Sequence, residues 1–376
     1  MQPGASTDLP GSGPGNLEVD EVRYESVLGS TLGLAYGDAL GKPTEFMKVP
    51  AILRRYGPGG PRSLPTPALV TDDTQMALAT VAALARAAHG GPGPNEAANL
   101  LGYSPDLAGG LGGISPLDLA EALEIEYVAW SRSPENTRAP GGTCMAACRR
   151  IGTGRAWLQA TVLDSKGCGA NMRVTPLGLI ARMSEAERAG AAQLQAAITH
   201  GHPTGLAAAD LTAHAVWLLA EGTEPALLLP ALFDYIERNA AVYHRDWLGA
   251  LWSVARASSP KSYIAPGWEE CHRALTRVET ALAQPRPNQD PCLTTGDGWV
   301  AEEALATALH CFLLFPHKPV VALARAATTR GDSDSIAAIT GALAGAHAGA
   351  ASFPPEWAEQ IEYADRLTAA AALLAA

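Results

Sequence analysis

In this 376-residue chain the residues best placed to do chemistry stand in two short acidic runs, Thr71-Asp72-Asp73-Thr74 and Gly331-Asp332-Ser333-Asp334-Ser335. Each mixes carboxylates with hydroxyls, a set of hard oxygen donors that suits magnesium or manganese better than zinc or copper. Each also opens a helix-like run, where acids and hydroxyls commonly cap free backbone N–H groups and meet the positive end of the helix dipole. Taken singly, either run reads as an ordinary helix N-terminus. Taken together they support a second reading. Four carboxylates gathered in one place repel and raise one another's pKa unless divalent cations neutralise them. Two magnesium-like ions would satisfy such a set, lower the pKa of a bound water and orient a polar substrate for hydrolysis.

For the two runs to meet, the helices beside them must approach closely, and glycine spacing supplies the means. Gly29, Gly33, Gly37 and Gly41 fall four apart along one edge of a helical run, and Gly341, Gly345 and Gly349 do the same after the second acidic run. Glycine costs about 1 kcal/mol per helix position relative to alanine, so such a row needs a reason, and close backbone approach is the simplest one. The spacing predicts that these helices cross in the core and gather Asp38, the Thr71 group and the Asp332 group around one pocket. Gly41 and Pro43 end the first helix and leave Asp38 and Glu45 on or beside its closing turn.

The remaining elements read mostly as helices, over 75–89, 117–131, 185–198, 206–220, 225–258, 299–315 and a terminal 357–376, with a loop at 138–143 that opens onto a helix through Arg150. Strand-like alternation is scarce, which points to an all-α fold. The small-residue stretch Ser165-Lys166-Gly167-Cys168-Gly169-Ala170-Asn171-Met172-Arg173 precedes an apolar helix expected over 177–183. Backbone amides of such a loop can cradle phosphate, although the pattern is neither a Walker loop nor a dinucleotide fingerprint and serves equally as a turn. His200 and His202 lack the third histidine or thiolate of a zinc site and read as helix caps or ligand contacts.

Composition bounds the rest. With 47% hydrophobic and 17% charged residues the chain can bury a large core. Its net charge of −11 argues against general affinity for nucleic acid or anionic membrane. No long uninterrupted apolar run and no signal-like N-terminus is found, so a cytoplasmic location is the default. Six dispersed cysteines with no Cys-x-x-Cys spacing read as reduced, buried thiols. Residues 1–19, rich in Gly and Pro, are expected to be a disordered leader to a single domain over 20–376, and a monomer is expected.

Six ordered motifs, GDALGKPTEF, TDDTQMALA, KGCGANMRVTPLGL, THGHPTGLAAADLTAHAV, GWVAEEALATALHCFL and RGDSDSIAAITGALAGAHAG, closely resemble those of the ADP-ribosylglycohydrolases, and the likeness covers residues 22–376. The resemblance implies a compact, orthogonal multi-helix all-α domain. It implies two Mg²⁺ (or Mn²⁺) ions held by Thr71, Asp72, Asp73, Asp332, Asp334 and Ser335, and hydrolysis of the bond joining ADP-ribose to an acceptor side chain. Glu45, Asp73 and Asp332 are the implied catalytic groups. Asp38 is implied to orient water or the substrate ribose, the Ser165–Met172 loop (Ser165, Gly167, Cys168, Gly169, Asn171, Met172) to bind the diphosphate, and Gly141, Gly142 and His200 to contact ADP-ribose. The implied partner is a protein ADP-ribosylated on arginine. Serine or a nucleic-acid base as acceptor, and a non-catalytic ADP-ribose reader, are the alternatives. Three departures from the family pattern stand out: Arg330 where glycine is common, Ser335 for threonine, and Ser133-Pro134-Glu135-Asn136-Thr137 where arginine-specific relatives carry an aspartate.

Overall fold

In the computed structural model, which describes residues 14–89, 111 and 113–376, six helices position the acidic runs: α1 (Pro14–Gly41), α2 (Asp72–His89), α3 (Pro203–Ala220), α4 (Pro260–Ala283), α5 (Ala301–Leu314) and α6 (Ser333–Ala348). Among the described residues there is no strand. Isolated bridges join Ala68 to Ile361, Val162 to His200 and Gly167 to Val300, and the Asp332 amide donates to the Asp297 carbonyl at 2.8 Å.

The axis of the fold is the antiparallel crossing of α1 and α6. A Cβ built on Gly29 would lie 2.5 Å from the Gly345 carbonyl oxygen, on Gly33 2.2 Å from that of Gly341, and on Gly37 1.9 Å from that of Ala337. On Gly41 it would meet the Asp334 Cα at 2.4 Å, which places the end of α1 against the start of α6. The Ser30 hydroxyl spans the same interface to the Ala342 carbonyl at 2.9 Å. The two glycine rows therefore face each other, as their spacing predicts.

Two effects compete at Gly37, and their sizes decide the outcome of a test. Alanine would gain about 1 kcal/mol of helix propensity. Its methyl would press on backbone that cannot rotate aside, and overpacking costs typically 1–3 kcal/mol or more. Gly37→Ala is thus expected to lower the unfolding free energy by about 1–2 kcal/mol in a urea titration; a variant as stable as the parent would show that the helices do not touch there.

Helix α3 occupies the centre, with every residue from Thr204 to Val216 buried. The Glu185–Ala197 helix, α4, α5, α6 and the Thr175–Leu179 turn all pack on it. Burial on all sides explains why its sequence is apolar around its circumference rather than striped. All six cysteines are buried and free. No described helix is long and apolar enough to cross a membrane.

Several boundaries differ from those expected of the sequence. Helix α1 starts at Pro14, inside the stretch expected to be a leader; residues 1–13 lie outside the described residues. The helix expected over 177–183 spans only Thr175–Leu179, because Ser184 and Glu187 form a capping box that starts the next helix. The 225–258 stretch is a helix over Pro225–Asn239 and then two single turns, broken where Gly249 takes φ +52°. The terminal helix divides at Tyr363, φ +63°. Helix α4, which the sequence pattern does not announce, contains Pro266 and is continuous through it. The adjacent Gly267 lets α4 approach α3, since a Cβ there would lie 2.3 Å from the Pro203 carbonyl oxygen.

Candidate functional site

The start of α2 is built on Asp38. This carboxylate is wholly buried. Its Oδ1 accepts from the Thr71 amide and hydroxyl at 2.9 and 2.8 Å, and its Oδ2 from the Thr74 amide and hydroxyl at 3.1 and 2.6 Å. Asp38 thereby fixes the first turn of α2 from the end of α1. Thr71 in turn accepts weakly from the Asp73 amide at 3.4 Å, as an N-cap does. Asp72 and Asp73 are left free of capping duty; Asp72 Oδ2 accepts from the Gly141 amide at 3.0 Å, and Asp73 Oδ1 is buried with no hydrogen-bond partner.

The start of α6 meets this turn. Asp332 is its N-cap residue, yet its side chain makes no capping bond. Glu45 follows the turn after α1, which is tied to α6 through the Thr44 hydroxyl, within 3.1 Å of the Ser333 hydroxyl, and through Ser333 Oγ donating to the Gly41 carbonyl at 3.0 Å. Carboxylate oxygens of Glu45, Asp332 and Asp334 lie within 4.8 Å of one another. Thr71, Asp72, Asp73, Asp332, Asp334 and Ser335 are all buried, and Glu45 alone of the acidic group is half-exposed.

The electrostatics follow from this crowding. Burial, and then the charge of Asp334, push Asp38 up to about 6. Burial followed by the charges of Asp334 and Asp72 pushes Glu45 up to about 8. Asp72 rises to about 7 through burial, with the Gly141 amide pulling it back. Asp73 and Asp332 are held well above the carboxylate range, by burial first and the Asp334 charge second. The dipoles of two helix N-termini offset only part of this cost. An orphaned buried carboxylate oxygen, an N-cap acid that caps nothing and a donor set made only of oxygens are what hard divalent cations would satisfy, so these residues fit such ions.

Two loops adjoin the cluster. Gly141 and Gly142 open the Gly142–Ile151 helix, and Thr143 Oγ1 pairs with Ser165 Oγ at 2.9 Å. The small-residue loop is stapled to the segment before α5: the Cys168 amide donates to the Trp299 carbonyl at 3.0 Å and Asn171 Nδ2 to the Ala301 carbonyl at 3.0 Å.

Residues 20–376 match the sequence model of a family described as ADP-ribosylglycohydrolase. The chain belongs to the ADP-ribosylglycohydrolase family. It is 32% identical over 191 residues to the ADP-ribosyl-(dinitrogen reductase) glycohydrolase of Rhodospirillum rubrum, covering 49% of this chain and 54% of that protein, so this chain spans about half the length of that relative. It is 26% identical over 364 residues to the ADP-ribosylhydrolase ARH3 of Bos taurus, covering 89% of this chain and 88% of that protein. A solved ADP-ribosylglycohydrolase-related protein complex shares the fold, with a TM-score of 0.62 at 24% identity over 94% of this chain and 98% of that one.

Within this member of the family the expected site residues divide into two layers. Thr71, Asp72, Asp73, Asp332, Asp334, Ser335 and Glu45 converge. Gly141, Ser165, Gly167 and Gly169 are half-buried, and Gly142 is exposed beside them. Asp38, Asn171, Met172 and His200 lie beneath, at 0, 0, 3 and 2% exposure. His200 packs against the loop backbone, its Nε2 3.3 Å from a Cβ built on Gly167, and Thr199 Oγ1 pairs with its Nδ1 at 2.8 Å. Burial, then the Arg173 charge, holds its pKa well down and keeps the ring neutral. His202 caps α3 by accepting from the Thr204 amide. Cys168 is also buried, and burial raises its thiol far above the usual range. Arg330 points outward, its Nε 2.9 Å from Asp297 Oδ1.

An aromatic pair at the mouth was not foreseeable from the motifs. Phe46, next to Glu45, is 71% exposed and Trp299 is 44% exposed; their rings stack at 5.8 Å and 17°. Phe46 holds φ +61°, a strained backbone for a bulky residue that its surroundings must sustain. Trp299 follows Gly298, whose added Cβ would lie 3.4 Å from Asp332 Cβ, which places the stack beside the acids.

Proposed function

We propose that this protein is a divalent-metal-dependent hydrolase of the bond between ADP-ribose and an acceptor side chain, with ADP-ribosylarginine as its substrate class. The reading is carried by the convergence of Thr71, Asp72, Asp73, Asp332, Asp334 and Ser335 with Glu45, at the meeting of two helix N-termini, in an ADP-ribosylglycohydrolase. Those six residues would hold two magnesium or manganese ions. When bound, such ions supply Lewis-acid polarisation and a lowered water pKa.

The protein's own groups do the rest. Hydrolysis adds hydroxyl to the ribose C1″ and a proton to the acceptor as the glycosidic bond breaks. Glu45, the one acid of the group that reaches solvent, is placed to take the proton from water and return it to the leaving acceptor. Gly141, Gly142, Ser165, Gly167 and Gly169 form the half-open surface on which the ADP-ribose diphosphate would rest, with His200, Asn171, Met172 and Cys168 supporting it from below. Asp38 acts as a positioning residue by locking the first turn of α2.

Arginine as the acceptor is supported by the Phe46–Trp299 stack. Aromatic faces attract guanidinium at about 0.5–1 kcal/mol when exposed and about 2 when desolvated. The carboxylate of Glu135, in the segment where arginine-specific relatives carry an aspartate, is engaged by the Tyr363 hydroxyl at 2.7 Å, so the aromatic pair would carry this recognition instead. The same faces would stack on a nucleobase, which is the second reading. A panel of substrates ADP-ribosylated on arginine, serine, glutamate and DNA, assayed with magnesium, manganese and chelator, tests both. Divalent-dependent release from the arginine substrate, with a higher KM in Trp299→Ala, is the expected result. Release from DNA alone would move the assignment to the second reading, and release from none would leave a reader of ADP-ribose.

A further inference from the structure

Sharing no residue with the acidic cluster, a cavity of about 260 Å³ is lined by α4, α5, the Pro319–Ala326 helix and the loop before Cys292. Three arginines, Arg277, Arg286 and Arg325, line it together with His310 and Asp290. In a chain of net charge −11, none of the three forms an ion pair among the described residues. The carboxylate that lines the cavity is already engaged: Asp290 Oδ1 accepts from the Thr329 hydroxyl at 2.7 Å and the Cys292 amide at 3.0 Å, and Oδ2 lies 3.4 Å from the Arg330 amide.

The buried groups carry the argument further. Arg325 is 8% exposed. Its terminal nitrogens donate to the carbonyls of Arg286, Pro287 and Gln289, while its Nε finds no partner. His310 is 3% exposed, and neither of its ring nitrogens has a partner. The Nε of Arg277 is likewise unpartnered. Buried polar atoms are nearly always satisfied, so several orphaned donors around one cavity need a ligand. Water would occupy the donors but leave the guanidinium charges uncompensated, whereas an anion does both, and planar guanidinium forks match oxyanions in particular. The volume lies below the roughly 300–1,000 Å³ of pockets that take drug-sized ligands, which suits a small anion and excludes one the size of ADP-ribose.

We infer that this cavity is a second, independent anion site that binds inorganic phosphate or the phosphate end of a small phosphomonoester, with Arg277, Arg286 and Arg325 donating to its oxygens and His310 supplying a further N–H. Burial, and then the Arg325 charge, hold His310 down at about 4, so the ring is neutral near pH 7 and offers one N–H alongside one acceptor nitrogen.

The test is calorimetry of the full chain with inorganic phosphate in divalent-free buffer at matched ionic strength, repeated with glycerol phosphate. Wild type and Asp73→Ala should bind alike, because Asp73 does not line the cavity. The double variant Arg277→Ala/Arg286→Ala, whose side chains reach solvent and whose thermal melt serves as the folding control, should bind at least about tenfold more weakly. Binding of glycerol phosphate but not of free phosphate would retain the site and name the monoester as its ligand. No binding of either probe at millimolar concentration, binding unchanged in the double variant, or binding lost in Asp73→Ala would overturn the inference. Each of these results is independent of whether the protein hydrolyses ADP-ribosylarginine.

Discussion

Asp73→Ala is expected to abolish divalent binding and turnover while leaving the helical fold in place. Asp73 is 2% exposed, its Oδ1 has no partner, and its Oδ2 is only 3.4 Å from the Thr71 hydroxyl. It contributes almost nothing to the hydrogen bonding of the metal-free protein. Burial first, and then the charges of Asp334, Asp38, Asp72 and Asp332, disfavour its ionised form. Removing it should therefore relieve repulsion and keep the melting temperature of the chelated protein at or above that of the parent. Divalent affinity should fall by more than about 100-fold, since even the outer partners of metal ligands typically cost 10–100-fold when removed. Asp38→Asn is the informative contrast. It disrupts carboxylate hydrogen bonds to Thr71 and Thr74, so it should cost about 1–3 kcal/mol of stability together with a smaller loss of affinity. Full turnover and an unaltered magnesium titration in Asp73→Ala would remove the site.

The contrast between Asp73 and Asp38 also marks how far the sequence could be read. Donor types are visible in a sequence, and a row of glycines four apart has few explanations besides backbone contact, so the α1–α6 crossing and the meeting of the two acidic runs were both legible. Which lone pairs a buried group has already committed is not visible. Asp38, Asn171 and His200 have the right chemistry to touch a substrate, and in the fold both Asp38 oxygens are held by Thr71 and Thr74, Asn171 Nδ2 by the Ala301 carbonyl and His200 Nδ1 by Thr199. The Phe46–Trp299 stack was hidden for another reason. It depends on a positive φ at Phe46 and on the turn through Gly298, and neither local pattern indicates a partner from the far side of the chain. Helix α4 is masked in the sequence because Pro266 ordinarily ends a helix, and only tertiary contact with α3 shows why this one continues.

Stripped of divalent ions, the protein should lose stability as pH rises from about 6.5 to 8, and magnesium should restore more of it at pH 8 than at pH 6.5. Unfolded carboxyl groups release their protons near pH 4. In the folded, metal-free cluster Asp72 keeps its proton up to about 7 and Glu45 up to about 8, with Asp73 and Asp332 also raised. The folded state thus binds more protons than the unfolded one across this window, and stability falls with pH at a slope set by that excess. For a fully buried group, a tenfold change in proton affinity on folding is worth about 1.4 kcal/mol. Glu45, being half-exposed and screened, adds less, so the total loss should be a few kcal/mol. Below pH 6.5 the buried histidines His214 and His310, pushed down to about 3 and about 4 mainly by burial, impose the opposite slope, because they must charge on unfolding. From pH 6.5 upward that opposing slope fades as the histidines of the unfolded chain lose their own protons, so the carboxylates dominate in the upper part of the window. Magnesium competes with those protons, so its stabilisation must grow with pH. The discriminating comparison is wild type against Asp73→Ala, with and without magnesium, by thermal melts at pH 6.5, 7.25 and 8. A chelated wild type whose melting temperature is flat or rising over that range, or a magnesium increment that does not change with pH, would mean that the four aspartates and Glu45 do not share one site.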